Sequence, residues 1–300
     1  MLKIAYHPIY RHPLPEGHRF PMQKYDLLPQ QLLHEGTCDP ENFFEPGFPS
    51  DADVLRAHTG SYYQALREGT LSRRDMRKVG FPWSPELVER ELRIAQGTIM
   101  GCHFALEHGV SMNIAGGTHH AYSDRGEAFC MLNDQAIGAH YLLDQGLAKR
   151  ILILDLDVHQ GNGTAEIFSR VPEVFTFSMH GKANYPFRKE ESDLDVPLAP
   201  GTGDEEYLSA LEKHLSALKK LVDPDFIFYL SGVDILATDK LGTLGVSPEG
   251  CRTRDELVFQ WCHRHNLPVQ CSMGGGYSPQ LRTIVEAHAN TFRMAQFIFF

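Results

Sequence analysis

Three side chains that can bind a metal ion follow one short apolar run. The segment ILILDLDVHQGNG, residues 151–163, begins with four aliphatic residues typical of a strand buried on both faces and continues with Asp155, Asp157 and His159. Residues two apart in a strand point to the same face, so an extended chain would bring these side chains together. Two carboxylates and an imidazole suit a divalent transition metal. The alternative, that the aspartates cap helices or bind loop backbone, stays open on this motif alone.

Further side chains that could take part in catalysis or metal binding follow other apolar runs. Asp234 follows FIFYLSG and would complete a set of ligands that leaves positions open for water and substrate, as in a catalytic zinc site. His119 and His120 follow AGGT, and one could be a general base, although a histidine more often has a structural role. Tyr277 follows three glycines and could donate to an oxyanion. Its alternatives are an aromatic packed under the last helix and a phosphate loop, which the absence of a lysine disfavours.

Six apolar runs predict the strands that must position these groups. They alternate with longer amphipathic segments, a pattern typical of α/β proteins with a mainly parallel sheet. The runs are LKIAY, VSMNIA, ILILDLDV, VFTFSM, FIFYLSG and PVQCSM. Ligands bind beyond the carboxyl ends of parallel strands, and glycines and polar residues follow five of these runs. We therefore expect the candidate groups to meet at one edge of the sheet.

Five helices are also predicted. Three should begin at Ser-Pro pairs, because serine caps a free backbone N–H and proline fits the first helical position. These pairs are Ser84-Pro85, Ser247-Pro248 and Ser278-Pro279. Two more helices are predicted over 132–145 and 204–222.

Composition favours a single globular domain over residues 1–300. A chain of this length can bury a core without disulfides, and it contains no linker-like stretch. The N-terminus lacks a signal-peptide pattern, no apolar run could span a bilayer, and the six cysteines form no CxxC pair. The net charge of -10 argues against a nucleic acid partner. These features predict a cytoplasmic protein without nucleic acid or membrane partners.

Six motifs, in this order and spacing, resemble the zinc-dependent histone deacetylases of the arginase/deacetylase fold. They are GGTHHA, FCMLND, DLDVHQGNGT, FSMHG, SGVDIL and GGGY. The resemblance covers most of the chain, and DLDVHQGNG and VDILATDKLGTLGVSPEGCRTRDELVF are most similar to the class IV branch. It implies an α/β fold in one three-layer domain with a central, mainly parallel eight-stranded sheet. It also implies a zinc-dependent enzyme that removes acetyl or longer fatty acyl groups from acyl-lysine in proteins or peptides.

The resemblance also implies site residues. The zinc ligands would be Asp157, His159 and Asp234, and the catalytic residues would be His119, His120 and Tyr277. A monovalent cation, potassium, would be bound by Asp155, Asp157, His159, Ser178 and Met179.

Two residues would support the paired histidines according to this resemblance. Asp155 would orient His119. Asn162 stands where class I enzymes carry aspartate, so His120 should lack a carboxylate partner and be less basic. His120 is then the expected neutral base.

The resemblance implies a substrate channel as well. Its walls would include Phe129, Tyr185, Phe187, Leu241 and Gly275, and Ala128 replaces a glycine that is common in the family. Three alternatives remain: a binuclear manganese ureohydrolase-like enzyme of the same fold, an acetylpolyamine amidohydrolase, and a non-catalytic acyl-lysine binding module. The sequence leaves the acyl group, the host and the oligomeric state open.

Overall fold

A computed structural model describes residues 1–300, and its centre is a sheet of eight strands that are all parallel. The strands are β1 (Lys3–Ala5), β2 (Phe43–Phe44), β3 (Val110–Asn113), β4 (Ile151–Asp155), β5 (Val174–Gly181), β6 (Leu194–Leu198), β7 (Phe226–Ser231) and β8 (Val269–Met273). Their order is β2-β1-β3-β8-β7-β4-β5-β6. The predicted α/β fold with an eight-stranded sheet is confirmed.

Ten α-helices pack around this sheet in one domain. They are α1 (Lys24–His34), α2 (Asp51–Ala57), α3 (Gly60–Glu68), α4 (Arg73–Val79), α5 (Pro85–His108), α6 (Asp134–Asp144), α7 (Asn162–Phe168), α8 (Asp204–Leu221), α9 (Pro248–Arg264) and α10 (Leu281–Phe299). Helices α1, α8, α9 and α10 form one connected group, and α2, α5 and α6 form another. Strands β4 and β7 are buried at every residue, as expected where helices cover both faces of a parallel sheet.

The six predicted strands are present, and two further strands were missed. Strand β2 has only two residues, and β6 is an edge strand that contains Pro197. Neither shows the long apolar run by which a buried strand is recognised, and proline is tolerated at a sheet edge because no ladder donor is needed there. Strand β4 ends at Asp155, three residues before the end of the predicted run.

Two of the three Ser-Pro pairs begin helices as predicted. The hydroxyls of Ser84 and Ser247 accept hydrogen bonds from the first turns of α5 and α9. The prediction for Ser278 is wrong, because α10 begins only at Leu281. The Ser278 hydroxyl instead lies 2.7 Å from that of Thr238, so it caps no helix. The predicted helices at 132–145 and 204–222 correspond to α6 and α8.

The six cysteines are all buried and unpaired. Among the ten helices there is none with both the length and the apolar character needed to cross a bilayer.

Candidate active site

The chain turns sharply where β4 ends. The Asp155 carboxylate accepts a hydrogen bond from the backbone N–H of Asp157 at 3.0 Å, and the Asp157 carboxylate accepts one from the N–H of His159 at 2.9 Å. Aspartate side chains stabilise turns by binding the backbone two residues ahead. The prediction that these three side chains line up along an extended strand is therefore wrong, although the turn still keeps them adjacent.

Asp157, His159 and Asp234 form a buried cluster of potential metal ligands. One atom from each lies within 4.8 Å of the others. His159 Nδ1 is 3.0 Å from Asp157 Oδ1 and 3.3 Å from Asp234 Oδ2. Asp234 Oδ1 accepts from the N–H of Val158 at 3.0 Å, but Oδ2 is buried without a hydrogen-bond partner. A buried carboxylate oxygen without a donor is costly, and a divalent cation held by these oxygen and nitrogen atoms would satisfy it.

Burial and mutual charge perturb this cluster strongly. Burial and, to a lesser extent, the neighbouring Asp157 raise the pKa of Asp234 to about 7. Burial alone would lower the pKa of His159, but the adjacent carboxylates of Asp157 and Asp234 outweigh burial and raise the pKa to about 10. One imidazole therefore lies against two buried carboxylates.

The adjacent histidines have different partners. His119 Nδ1 lies 2.6 Å from Asp155 Oδ2, and His120 Nδ1 lies 2.6 Å from Asn162 Oδ1. Burial lowers the pKa of both rings, but the carboxylate of Asp155 outweighs it and leaves the pKa of His119 above its usual value. Burial and the neighbouring His119 hold the pKa of His120 well below its usual value. At neutral pH the pair thus contains one neutral imidazole and one that protonates more readily.

Tyr277 lies on the wall of the same site. Its backbone N–H donates to Oδ2 of Asp239 at 2.5 Å, and its ring packs near those of Phe20 and Phe129, with centroids 6.1 and 6.2 Å away. Burial raises the pKa of its phenol well above the usual value. The phenol therefore remains a hydrogen-bond donor at all physiological pH values.

A cavity of about 600 Å³ joins these groups to the surface. It is lined by the ligand cluster, both histidines and Tyr277, and also by all five residues predicted for the channel, Phe129, Tyr185, Phe187, Leu241 and Gly275. The Tyr185 ring packs edge to face on His120 at 5.0 Å, and its hydroxyl donates to Glu127. Phe187 is 93% exposed, so it lies at the mouth and not within the wall.

A tight hairpin turn aims Phe129 into the cavity. Glu127 and Cys130 exchange backbone hydrogen bonds of 3.0 and 2.8 Å, and the two residues between them, Ala128 and Phe129, have φ angles of 45° and 68°. Positive φ at both central residues defines a type I′ turn, which favours glycine or asparagine. A glycine, which the resemblance implies at position 128, would adopt this φ without strain, whereas Ala128 does not.

The predicted potassium ligands lie where β4 and β5 run side by side. Asp155 and Ser178 are in register on these strands, with Met179 next along β5. The Ser178 hydroxyl lies 3.0 Å from Nδ1 of His180. Potassium binding here stays a prediction.

Sequence reasoning missed two polar groups beside the cluster. Lys24 is 2% exposed, its Nζ donates to the carbonyl of Gly274 at 3.0 Å, and burial lowers its pKa to about 8. Asp239 holds the backbone of Tyr277, as described above. A lysine in the first turn of a helix is ordinarily exposed, so the sequence carried no signal for Lys24.

The all-parallel sheet and the ligand cluster at its carboxyl edge define an arginase/deacetylase-like fold. The chain belongs to the histone deacetylase family, because the histone deacetylase domain matches residues 18–292. This is a family of hydrolytic deacetylases.

Three relatives show the extent of the similarity. The chain is 45% identical over 296 residues to an uncharacterized protein of Picosynechococcus sp., with 99% of each chain covered. It is 30% identical over 286 residues to histone deacetylase 2 of Arabidopsis thaliana, with 92% of this chain and 74% of the relative covered. The crystal structure of an HDAC homolog complexed with SAHA matches with a TM-score of 0.83 and 24% identity, covering 98% of this chain and 84% of that one. That last likeness concerns the fold alone.

Proposed function

We propose that this protein is a zinc-dependent deacylase that hydrolyses the side-chain amide of acyl-lysine in proteins or peptides. The observation that carries the proposal is the convergence of Asp157, His159 and Asp234 in one buried cluster within a cavity that also exposes two histidines and a tyrosine. A set of three oxygen and nitrogen ligands leaves coordination positions open, as catalytic zinc sites do.

Zinc fits the donor set, and the unpaired Oδ2 of Asp234 is the oxygen that most needs a cation. A zinc ion held by the three ligands would supply Lewis acidity for the amide carbonyl and for the attacking water. A single cluster of this kind is present, which favours a mononuclear site over a binuclear manganese centre.

The remaining steps fall to side chains of this chain. His120 is the neutral imidazole, so it takes the proton from the attacking water. His119, whose pKa is raised by Asp155, donates a proton to the departing lysine amine. The phenol of Tyr277 stays protonated and donates a hydrogen bond to the oxyanion formed from the amide carbonyl.

The cavity walls select the substrate. The rings of Phe129 and Tyr185 line it, which suits the methylene chain of a lysine between aromatic faces. The volume of about 600 Å³ exceeds what an acetyl-lysine side chain fills, so longer acyl groups belong among the substrates tested.

Three finer features are part of this proposal. Class IV membership follows from the resemblance of two motifs, and Asn162, which binds His120 in place of a carboxylate, is shared by class II and class IV and argues only against class I. Potassium binding beside Asp155 and a cytoplasmic location follow from the resemblance and the sequence.

Purified protein incubated with a panel of acyl-lysine peptides, from acetyl to myristoyl, tests the proposal. We expect turnover that EDTA abolishes and zinc restores, with one metal ion per chain by native mass spectrometry. Asp234→Asn provides the inactive control. Three results would overturn the proposal. Two tightly held divalent ions per chain would favour the manganese enzyme, hydrolysis of acetylpolyamines alone would favour the polyamine hydrolase, and peptide binding without hydrolysis would favour the binding module.

A further inference from the structure

A chain of hydrogen bonds links His120 to the protein surface through Tyr122. Asn162 Oδ1 lies 2.6 Å from His120 Nδ1, and Asn162 Nδ2 donates to the hydroxyl of Tyr122 at 3.0 Å. That hydroxyl donates in turn to Oε1 of Glu190 at 3.1 Å. His120, Asn162 and Tyr122 are buried, whereas Glu190 is exposed.

The direction of each bond in this chain is set by the last member. A carboxylate accepts hydrogen bonds, so Glu190 takes the only proton of the Tyr122 hydroxyl, whose oxygen then accepts from an N–H. The amide of Asn162 therefore turns its nitrogen to Tyr122 and its oxygen to His120. An amide oxygen only accepts, so His120 must carry its proton on Nδ1, and the lone pair is left on Nε2.

The Tyr122 ring is itself held in place. The guanidinium carbon of Arg125 lies 3.5 Å from the centre of the ring, and Arg125 also binds Asp124 and Glu127. The backbone of Glu190 exchanges hydrogen bonds of 2.7 and 2.9 Å with the buried side chain of Gln160. The Tyr122 ring and the backbone of Glu190, its hydrogen-bond partner, are thus each held by separate contacts.

We propose that Tyr122 is a positioning residue that fixes the tautomer of His120 through Asn162. The inference rests on the proposed function, in which Nε2 of His120 accepts the proton of the attacking water. Without the Tyr122 hydroxyl, the Asn162 amide loses the acceptor that holds its nitrogen away from His120, and the flipped amide would favour the tautomer whose Nε2 is already protonated. Such a molecule binds substrate normally but cannot accept the proton.

Tyr122→Phe tests this inference. We expect a fall in kcat of roughly tenfold, on the scale of one hydrogen bond to a polar group, with KM unchanged. In the Asn162→Asp background both oxygens accept, so the same tyrosine substitution should cost less than about twofold. Tyr141→Phe, which removes an exposed hydroxyl near His103, serves as the control and should leave kcat unchanged.

A direct readout separates this proposal from the proposed function. In protein labelled with ¹⁵N-histidine, His120 should show a protonated Nδ1 in the parent and a mixture of tautomers in Tyr122→Phe. An unchanged tautomer, or an equal loss of kcat in both backgrounds, would overturn the role of Tyr122. If the parent hydrolyses no acyl-lysine peptide, the proposed function fails, but the labelling experiment still decides whether Tyr122 fixes the tautomer.

A second observation concerns the charge at the mouth of the cavity. Helix α4 contains Arg73, Arg74, Arg77 and Lys78 against the single acid Asp75, in a chain whose net charge is -10. Lys78 lines the cavity. Arg74, one turn earlier, is on the same side of the helix.

These cations are poorly neutralised. Arg19 also lines the cavity, with its guanidinium carbon 5.0 Å from the centre of the Phe129 ring. Lys78 is 4.0 Å from Glu127, and that carboxylate is shared with Arg125 and Tyr185. Arg19 and Arg74 form no salt bridge. We call Arg19, Arg74 and Lys78 the basic rim.

We infer that the basic rim binds acidic side chains that flank the acyl-lysine of a protein substrate. This too rests on the proposed function. Uncompensated positive charge beside a cavity attracts anionic groups and repels cationic ones. A lysine-rich segment or an acetylated polyamine would therefore be a poorer substrate than an acidic peptide with the same acyl-lysine.

Matched acetyl-lysine peptides with Asp/Glu or Lys/Arg flanks test the basic rim. At low ionic strength we expect kcat/KM to favour the acidic peptide by about tenfold or more, with the difference shrinking as salt screens the charges. Arg74→Glu should reduce or reverse this preference. Arg264→Glu is the charge-matched control. Arg264 ends α9 shortly before β8 begins, so it lies near the N-terminal ends of the strands, whereas the site lies beyond their C-terminal ends.

Two outcomes would overturn the basic rim. One is equal turnover of the two peptides. The other is a preference that Arg74→Glu leaves intact. In the first case, binding of anionic phosphatidylserine vesicles would assign the rim to a lipid surface instead. If neither peptide is hydrolysed, the proposed function fails, and equilibrium binding of the acidic and basic peptides still tests the rim.

Discussion

The backbone N–H of Gly275 donates to Oδ2 of Asp157 over 2.7 Å, and so ties the glycine loop after β8 to a proposed zinc ligand after β4. A Cβ atom at position 275 would collide with Oδ2 of Asp234 and lie 3.1 Å from Oδ2 of Asp157. The absence of a side chain there is a requirement of the ligand cluster itself.

Gly275→Ala should therefore displace metal ligands. We expect zinc affinity, measured by competition with a chelator, to fall by about tenfold or more, as when the supports of metal ligands are removed. Gly146→Ala is the control, since Gly146 has φ of 65° with no atom near its missing Cβ. That variant should lose about 1 kcal/mol of stability through backbone strain and keep its zinc affinity. Equal zinc affinity in both variants would contradict the requirement at Gly275.

Tyr277→Phe removes the proposed oxyanion donor and little else. Because the donor acts mainly on the transition state, kcat should fall about a hundredfold or more while KM and zinc content stay close to those of the parent. Steady-state kinetics on an acetyl-lysine peptide, with metal analysis of the same samples, would show this. Turnover within a few-fold of the parent would mean that Tyr277 has another role.

Asp155→Asn tests the different basicities of the two histidines. In the parent, burial lowers the pKa of His119 and the Asp155 carboxylate more than restores it. Loss of that charge lowers the pKa, so His119 stays protonated over a narrower range. If protonated His119 donates to the leaving amine, the alkaline limb of the kcat profile should move to lower pH. Asp193→Asn, whose carboxylate binds Thr176 at the sheet edge, should leave the limb in place. An unmoved limb in Asp155→Asn would contradict this role of His119.

The sequence predicted the architecture and most of the site because both depend on local signals. Apolar runs reveal buried strands, and polar groups directly after them, such as Asp234 and His119, must reach the same edge of a parallel sheet. The turn after Asp155 and the late start of α10 depend on which donor a carboxylate or hydroxyl meets in three dimensions. Lys24 lies beside the cluster only because α1, which is far from the ligands in sequence, packs there. No local sequence pattern predicts that contact.

The turn at Ala128 predicts a stabilising substitution. Its φ of 45° is strained for alanine and ordinary for glycine, so Ala128→Gly should stabilise the fold by up to about 1 kcal/mol. Ala210→Gly, within α8, should destabilise by a similar amount because glycine is a poor helix former. Urea denaturation of the two variants beside the parent measures both. A destabilised Ala128→Gly would show that the turn is not strained in solution.

The Asp234 carboxyl links metal binding to stability and pH. Its pKa in the metal-free fold, about 7, lies above the value of about 3.9 for an unfolded aspartate, so the folded state binds the proton more tightly. Its stabilising contribution is complete below the unfolded pKa and is lost as pH rises through the folded one. Thermal unfolding in EDTA should therefore show stability falling between about pH 4 and pH 7 from this group.

Asp234→Asn removes both that titration and a metal ligand. Its metal-free form should unfold at a higher temperature than the metal-free parent at pH 8, because no unpaired carboxylate is buried, and its pH dependence should be flatter. Added zinc should raise the unfolding temperature of the parent and leave that of the variant unchanged, since binding to the native state is what stabilises it. A variant that keeps the steep pH dependence would show that Asp234 is not the titrating group, and a variant that zinc still stabilises would show that Asp234 is not a required ligand.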